Sequence, residues 1–374
     1  MRVHMLKPTL SYYSKFKKTL RHCLGWPRRY WKGSLWHKIV SVIVIVLAIC
    51  FGSMYGIARW YIASQSSVPL QLGVSFIPDY ASSLGLNPEQ TMSALINQLH
   101  VKHFRLTSYW SDVEPTKGNY NFSQLDWEFA MADKAHAKIT LVVGLRQPRW
   151  PECHPPAWAN TATPVSQWQP ELEQYMAAVV NRYKNNPALE SYQLENEYFL
   201  KGFGDCADFS RSRLISEYSL VKSLDPNHPI IVGRSNNDIG TPIGAPTPDV
   251  FGISIYHRVW DAAFTHRYIE YPFPAWYYAF LAGVEKITTG KNMIIDEEQA
   301  EAWPSRGQTI PNTSLNEQNK SMNATRLQSS FQFAKATGMK TIYMWGAEYW
   351  YYRMVILHDP SLWNVAHQQF AHSS

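Results

Sequence analysis

Hydrophobic positions along this chain fall into two kinds of run. The first is one uncharged block, Ile39 to Ala58 (IVSVIVIVLAICFGSMYGIA), and its roughly 20 residues match the length a helix needs to cross a hydrocarbon layer. After residue 70 the apolar runs shrink to strand length and alternate with segments of helical period. LGVSF (72–76), HFRLT (103–107), ITLVVG (139–144), SYQLEN (191–196), PIIVG (229–233), VFGISIY (250–256), NMIIDE (292–297) and TIYMW (341–345) read as strands. Residues 89–99, 123–136, 171–184, 209–223, 274–287 and 317–336 read as helices. Eight strands separated by helices or long connections predict a parallel α/β fold closed into a (β/α)8 TIM barrel over residues 70–374. Only the link around 235–249 lacks a helical period, and no internal repeat is visible.

The 374 residues carry a formal net charge of +6, which suggests a nucleic-acid partner until the charges are located. Residues 1–38 hold ten Lys or Arg and no Asp or Glu, so the remainder has 25 basic against 29 acidic side chains. The body is mildly acidic, and the electrostatic case for nucleic acid disappears. The basic flank and the Arg59-Trp60-Tyr61 edge orient the apolar block with its N-terminal side inward. Residues 1–38 are then a cytoplasmic tail, 39–60 a transmembrane signal anchor and 61–69 (YIASQSSVP) a polar linker, with the barrel outside the cytoplasm. No small-x-small cleavage site directly follows the block, so a single-pass anchor in the cell membrane is expected in place of a removed signal peptide.

Chemistry in a parallel barrel gathers where strands end and the loops toward the next helices begin. Two acidic clusters fall there, Glu195-Asn196-Glu197 after the fourth strand and Asp296-Glu297-Glu298 at the end of the seventh. Arg105 lies on the second strand, with Trp110 after it; Arg146, Trp150 and Glu152 follow the third. Asn236 and Asn237 follow the fifth strand, Tyr256 and His257 end the sixth, and Trp345 ends the eighth. Paired carboxyls among aromatic residues suit cleavage of a glycosidic bond. Retention needs the two carboxyls about 5 to 5.5 Å apart, one protonated to release the leaving group and one ionised to attack the anomeric carbon.

These residues resemble the retaining clan A glycoside hydrolases, the (β/α)8 group that includes the family 5 cellulase-like enzymes and the β-galactosidases. The resemblance rests on FRLTSYWSDVEPTKGNYNFSQLD (104–126), GLRQPRWPE (144–152), YQLENEYF (192–199), GISIYHRVW (252–260), IIDEEQAEAW (294–303) and YMWGAEYW (343–350), which span most of the predicted barrel. It implies Glu197 as general acid/base and Glu297 as nucleophile, with Asn196 on the sugar 2-hydroxyl. It also implies Arg105 and Tyr256 as the pair that orients the nucleophile, and Trp345 as the aromatic beneath the sugar ring. Trp110, Trp150, Trp303, Trp260 and Tyr349 are further candidates for stacking on flat sugar faces. Side chains alternate along a strand, so with Glu297 in the cleft, Asp296 and Glu298 are expected to point elsewhere.

The expected activity is hydrolysis of a β-linked oligo- or polysaccharide by double displacement. Transglycosylation with the same residues and a non-catalytic carbohydrate-binding barrel are the alternatives. No cofactor or metal is expected, because His103 and His154 lack a ligand constellation. Cys153 and Cys206, the two cysteines beyond the apolar block, either pair as a disulfide or stay free. Arg146 and Glu152 either pair at the rim or bind substrate, His257 is a weaker candidate for sugar contact, and Glu114 in VEPTKGNY reads as a turn residue.

Overall fold

The computed structural model describes residues 34–206, 208–236, 244–305 and 307–371. Most of the expected basic tail, with Cys23, and Asn237 in the loop after the fifth strand lie outside the described residues.

Helix α1, Leu35–Ser64, contains the apolar block, and the chain divides into two compact units within it, after Gly56. In the first unit the apolar side chains of Ile39 to Phe51 are largely exposed. Among the described residues this is the one helix long and apolar enough to cross a membrane, a property that signal sequences share. In the second unit the last turns of α1 pack: Ala58 and Tyr61 are buried. A Cβ on Gly283 would lie 2.7 Å from Ile57 Cγ2, and one on Gly338 would lie 3.0 Å from Ile62 Cγ1. The segment 61–69, expected as a polar linker, begins packed against the barrel unit. It is helical to Ser64 and then turns, with Val68 N donating to the Gln65 carbonyl.

The barrel strands are β1 Gln71–Phe76, β2 His103–Thr107, β3 Lys138–Val143, β4 Leu189–Leu194, β5 Ile230–Ser235 and β6 Val250–Ile255. A hairpin of β7 Arg258–Asp261 and β8 Arg267–Glu270 follows, then β9 Asn292–Gln299 and β10 Thr341–Trp345. All strands but the hairpin pair in parallel and close in the order β1-β10-β9-β6-β5-β4-β3-β2. Each expected strand is present. Their outward residues, such as Ile139, Leu141, Ile253 and Ile295, bury against the surrounding helices and form the main core, which explains the near-continuous apolar runs of strands covered on both faces.

Inside the barrel, a small apolar cluster of Ile231, Ile294, Tyr343 and the partly buried Val250 lies apart from the main core. Residues further along the strands are polar. Thr140 Oγ1 lies 2.7 Å from Ser191 Oγ and from the Tyr343 hydroxyl. A lumen filled with hydrogen-bonding side chains leads from this layer to the C-terminal ends of the strands.

The seventh barrel strand departs from simple alternation. Ile253 pairs with Ile295 but the next residue, Ser254, pairs with Glu297, and the register on the β10 side shifts as well. One extra residue is thus inserted at Asp296, and a bulge of this kind re-aims side chains. Asp296 and Glu297 both enter the lumen in consequence, which corrects the expectation that Asp296 points away. Gly233 and Gly252 make room for it, since a Cβ on either would come within 2.2 Å of Asp296 Oδ2. Two smaller differences concern helices. The segment 317–336 is two helices, Leu315–Ser321 and Ala324–Ala336, with Asn323 capping the second through the Arg326 amide. Helices Ala347–Val355 and Ser361–Ala371 close the chain after the last strand.

Candidate active site

The loops after β3 and β4 are built around Glu195. Its carboxylate accepts from the backbone amides of Leu145 at 2.7 Å and Arg146 at 2.9 Å, and from Arg213 Nη1 at 2.9 Å. Gly144, at φ +117°, admits this carboxylate, because a Cβ there would lie 2.4 Å from Glu195 Oε1. Glu195 is thereby a buried structural anchor. It and Glu197 take positive φ values of 58° and 42°, a region that costs non-glycine residues energy. The turn they make presents Asn196 and Glu197 at the mouth of the lumen.

Arg105, 1% exposed, organises the lumen beneath them. Its Nε donates to Gln193 Oε1 at 2.6 Å, its Nη2 to Asn196 Oδ1 at 2.8 Å and its Nη1 to Glu297 Oε1 at 2.9 Å. The Tyr256 hydroxyl donates to the other Glu297 oxygen at 2.6 Å. Glu297 is therefore gripped by a guanidinium and a phenol. Burial, reinforced by the Glu297 charge, raises the Tyr256 pKa well above its usual value, so the hydroxyl keeps its proton and remains a donor.

Glu197 has the opposite surroundings. It is buried, and its Oε1 has no hydrogen-bond partner. Burial first, then the nearby Glu297 and Glu152 carboxyls, raise its pKa well above the usual carboxylate range. A third carboxyl stands close by: Glu152 Oε2 accepts from Asn196 Nδ2 at 3.1 Å and lies 3.6 Å from Arg146 Nη2. Burial pushes Glu152 up to about 7 despite the Arg146 charge, and Glu297 adds to the rise. Of the two readings left open for Arg146 and Glu152, a rim pair or substrate contact, the pairing is present, but it is buried and not at an open rim.

The aromatic candidates separate into different places. Trp110 is wholly buried, donates through Nε1 to Glu114 Oε2 at 2.8 Å and stacks 6.0 Å from Tyr175. It has no free face for a sugar and is a packing residue. Tyr349 is likewise interior, bonded to Gln318 and Arg353. Trp150 is 61% exposed beside Phe203, and Trp303 is partly exposed with its ring edge-on to Tyr256 at 5.5 Å. Trp260 belongs to the hairpin and packs against Tyr268.

Trp345 donates through Nε1 to Glu301 Oε1 at 3.0 Å, and Glu301 Oε2 accepts from Arg149 at 3.2 Å. The Arg149 guanidinium lies 4.5 Å from the Trp345 ring centroid and 3.3 Å from that of Tyr80. Arg149, Glu301, Tyr80 and Gln193 were not among the sequence candidates. Gln193 was signalled by being a long polar side chain inside an apolar strand, whereas the others depend on loop geometry.

His257 turns away from this cleft, its Nε2 2.5 Å from Glu298 Oε1. Burial works against protonation of His257, but the Glu298 charge, its hydrogen bond to the ring and the Glu270 charge together outweigh it and raise the pKa. Asn236 donates to the Tyr256 carbonyl at 2.8 Å and supports that strand end. Glu114 accepts from the Gly118 amide, as a turn residue would. Cys153 and Cys206 are joined as a disulfide, with Cα atoms 5.4 Å apart. Among the described residues no three His, Cys, Asp or Glu side chains gather as a metal site.

No protein-family model matches the chain. In sequence it is 38% identical over 65 residues to mannan endo-1,4-beta-mannosidase A of Podospora anserina, a stretch that is 17% of each chain. It is 35% identical over 68 residues to mannan endo-1,4-beta-mannosidase F of Aspergillus fumigatus, covering 18% of this chain and 15% of the relative. The similarity thus spans less than a fifth of those relatives' length. Among solved structures, the β-galactosidase from Rahnella sp. R3 matches with a TM-score of 0.54 over 81% of this chain and 56% of its own, at 12% identity. Xylanase 10B from Thermotoga maritima matches with a TM-score of 0.51 over 83% and 98%, at 14% identity. At these identities the likeness establishes the fold, a (β/α)8 barrel, and function must be argued from the site.

Proposed function

We propose that the barrel is a retaining glycoside hydrolase that cleaves a β-linked glycan, with Glu297 as nucleophile and Glu197 as general acid/base. The observation that carries this reading is the contrast between the two carboxyls. Glu297 accepts from Arg105 and Tyr256, while the buried Glu197 has an unpartnered oxygen and a raised pKa. One group is set up as an anion and the other as a proton donor, the division of roles that double displacement needs.

In the first step Glu297 attacks the anomeric carbon while the Glu197 proton passes to the departing glycosidic oxygen. In the second, Glu197 takes a proton from water, the resulting oxygen attacks the same carbon, and the bond to Glu297 breaks. Asn196 directly precedes Glu197 and shares Arg105 with Glu297, and Trp303 and Trp150 are the candidate stacking surfaces. The stretches shared with mannan endo-1,4-beta-mannosidases make β-mannan the first substrate to test. The apolar helix α1 is read as the anchor that keeps the barrel at the outer face of a membrane.

The test uses the full chain in detergent with β-mannan, cellulose, xylan and a panel of aryl β-glycosides. Hydrolysis with retained anomeric configuration is expected, together with labelling of Glu297 by a 2-deoxy-2-fluoro glycoside detected by peptide mass spectrometry. Inversion, or a label on a different carboxyl, would remove the assignment.

A further inference from the structure

Glu152 is an expensive residue to bury where it is. A carboxyl 4% exposed normally needs several donors or a close cation. Glu152 has the Asn196 amide at 3.1 Å and Arg146 only at 3.6 Å. The chain nevertheless holds it firmly.

Glu152 takes φ +72°, its amide donates to the Arg149 carbonyl at 2.8 Å, and its carbonyl accepts from the Gln147 amide at 2.7 Å. The next residue, Cys153, is tied to Cys206. Asp205 N donates to the Pro151 carbonyl, and Gly204, at φ +87°, lets the opposite loop approach so closely that a Cβ there would lie 2.6 Å from Glu152 Cβ. Arg146 joins the two loops from below, donating to the carbonyls of Asn196 at 2.6 Å and Phe203 at 2.7 Å. These restraints converge on placing one carboxyl against Asn196.

We propose that Glu152 is a third active-site carboxyl, a positioning residue clamped by the disulfide-linked loops that orients the Asn196 amide and keeps the catalytic proton on Glu197. The proposal rests on the reading of Glu197 as the acid/base. Orientation follows from donor and acceptor chemistry. Arg105 and Gln193 can only donate to Asn196 Oδ1 from their facing groups, and Glu152 accepts from Nδ2. The amide has one compatible orientation, with its remaining N–H free for substrate.

Proton retention follows from the local charges. Glu152 is faced by Arg146, Arg105, Asn196 and Glu297. Glu197 is faced by Glu297, Glu152, Arg146 and Ser235. Two guanidinium groups serve four carboxyls, Glu152, Glu197, Asp296 and Glu297, with Arg105 bonded to Glu297 and acting on Asp296, and Arg146 beside Glu152. Glu197 is left without a cation of its own and holds its proton, the more so once Glu152 is ionised.

The test compares the full chain with Glu152→Gln and Glu152→Asp in detergent. One readout is the protonated-carboxyl infrared band of Glu197, identified by its loss in Glu197→Gln and followed against pH. The other is the pH dependence of kcat/KM on an aryl β-glycoside. Glu152→Gln is expected to lower the Glu197 midpoint by about one pH unit or more, a tenfold or larger change in proton affinity. The alkaline limb of kcat/KM should move down with it. Glu152→Asp, which keeps the charge but draws it back, should hold the midpoint near that of the parent while raising KM.

A purely structural role would depress activity at all pH with an unmoved limb, and an unchanged Glu197 midpoint in Glu152→Gln would overturn the proposal. If Glu152→Gln does not fold, Glu152→Asp decides alone, since an unchanged KM in that variant also overturns it. If the parent hydrolyses nothing yet the infrared midpoint still falls, the hydrolase reading fails while the Glu152–Glu197 linkage stands.

Discussion

The two acidic clusters, Glu195-Asn196-Glu197 and Asp296-Glu297-Glu298, look alike in sequence but are built on opposite plans. After β4 the chain leaves the strand through a turn with two positive φ values. The first acid is saturated with donors, and the last one has an oxygen with none. On β9 the chain stays in the sheet and gains a bulge, and here the middle acid receives the donors. Both carboxyl oxygens of Asp296 lack hydrogen-bond partners, and Glu298 faces His257. The comparison teaches that role follows from the supply of donors. Backbone amides and Arg213 make Glu195 a structural post, Arg105 and Tyr256 suit Glu297 to the proposed role of nucleophile, and the lack of a donor at Oε1 suits Glu197 to that of the acid.

That contrast is broken most severely at Glu297. Glu297→Gln removes the attacking oxygen but keeps the shape, and kcat/KM should fall by roughly 10⁴-fold or more with little change in Tm. Parent-like turnover on an aryl β-glycoside would refute the assignment. Glu195→Ala should do the reverse. It leaves two buried amides without an acceptor and takes one carboxylate from Arg213, which keeps Asp208 and Glu217, so a loss of roughly 1–3 kcal/mol per stranded amide in unfolding free energy is expected, read by denaturant or thermal unfolding. If stability hardly moved while catalysis vanished, the two acids of the β4 cluster would have to exchange roles.

Glu197→Gln sharpens the comparison in another way. Loss of a general acid should cost about 10²–10⁴-fold on substrates with poor leaving groups and much less in the first step with a good one. Equal losses across a leaving-group series would indicate that Glu197 supports the fold or the sugar, with the proton coming from elsewhere.

The eight strands were legible because parallel strands covered on both faces must be apolar almost throughout, and ITLVV, VFGISI and NMII leave little else to be. Cluster order was legible for the same reason, since strand ends can be counted. The orientation of the acids on β9 was not, because strict alternation assumes that no residue is inserted, and the bulge at Asp296 is set by pairing with strands distant in sequence. Trp110 was misplaced because a tryptophan after a strand suits a cleft as well as a core, and only the buried Glu114 and Tyr175 beside it decide between them. Glu152 was ambiguous while the pairing of Cys153 with Cys206 stayed open, since the disulfide joins the two loops that bury it. The break near Met322 had a local sign in Asn323, a good N-cap, inside what otherwise scans as one helical period.

The smallest expected effect concerns Asp296, the bystander that the bulge turns inward. Burial raises its pKa to about 7; Arg105 opposes that rise and Glu297 adds to it. An unfolded aspartate titrates near about 3.9, so between those two values the folded chain binds more protons than the unfolded one. The stabilisation is therefore complete below the lower value and is lost as pH rises through about 7. Glu152 and Glu348, both also raised to about 7 by burial, act in the same direction, so the parent should be most heat-stable in mildly acid solution. Asp296→Asn keeps the shape of the neutral acid and cannot ionise, and the pocket provided by Gly233 and Gly252 accommodates it. Its Tm should lie closest to that of the parent at about pH 4 and exceed it by several degrees at about pH 8, since the loss accumulates between the two pKa values and each kcal/mol is worth about 2–4 °C in a domain of 150–250 residues and no more in a larger one. A Tm difference that is the same at both pH values would mean that Asp296 does not titrate in the folded lumen, and that Arg105 keeps it charged alongside Glu297.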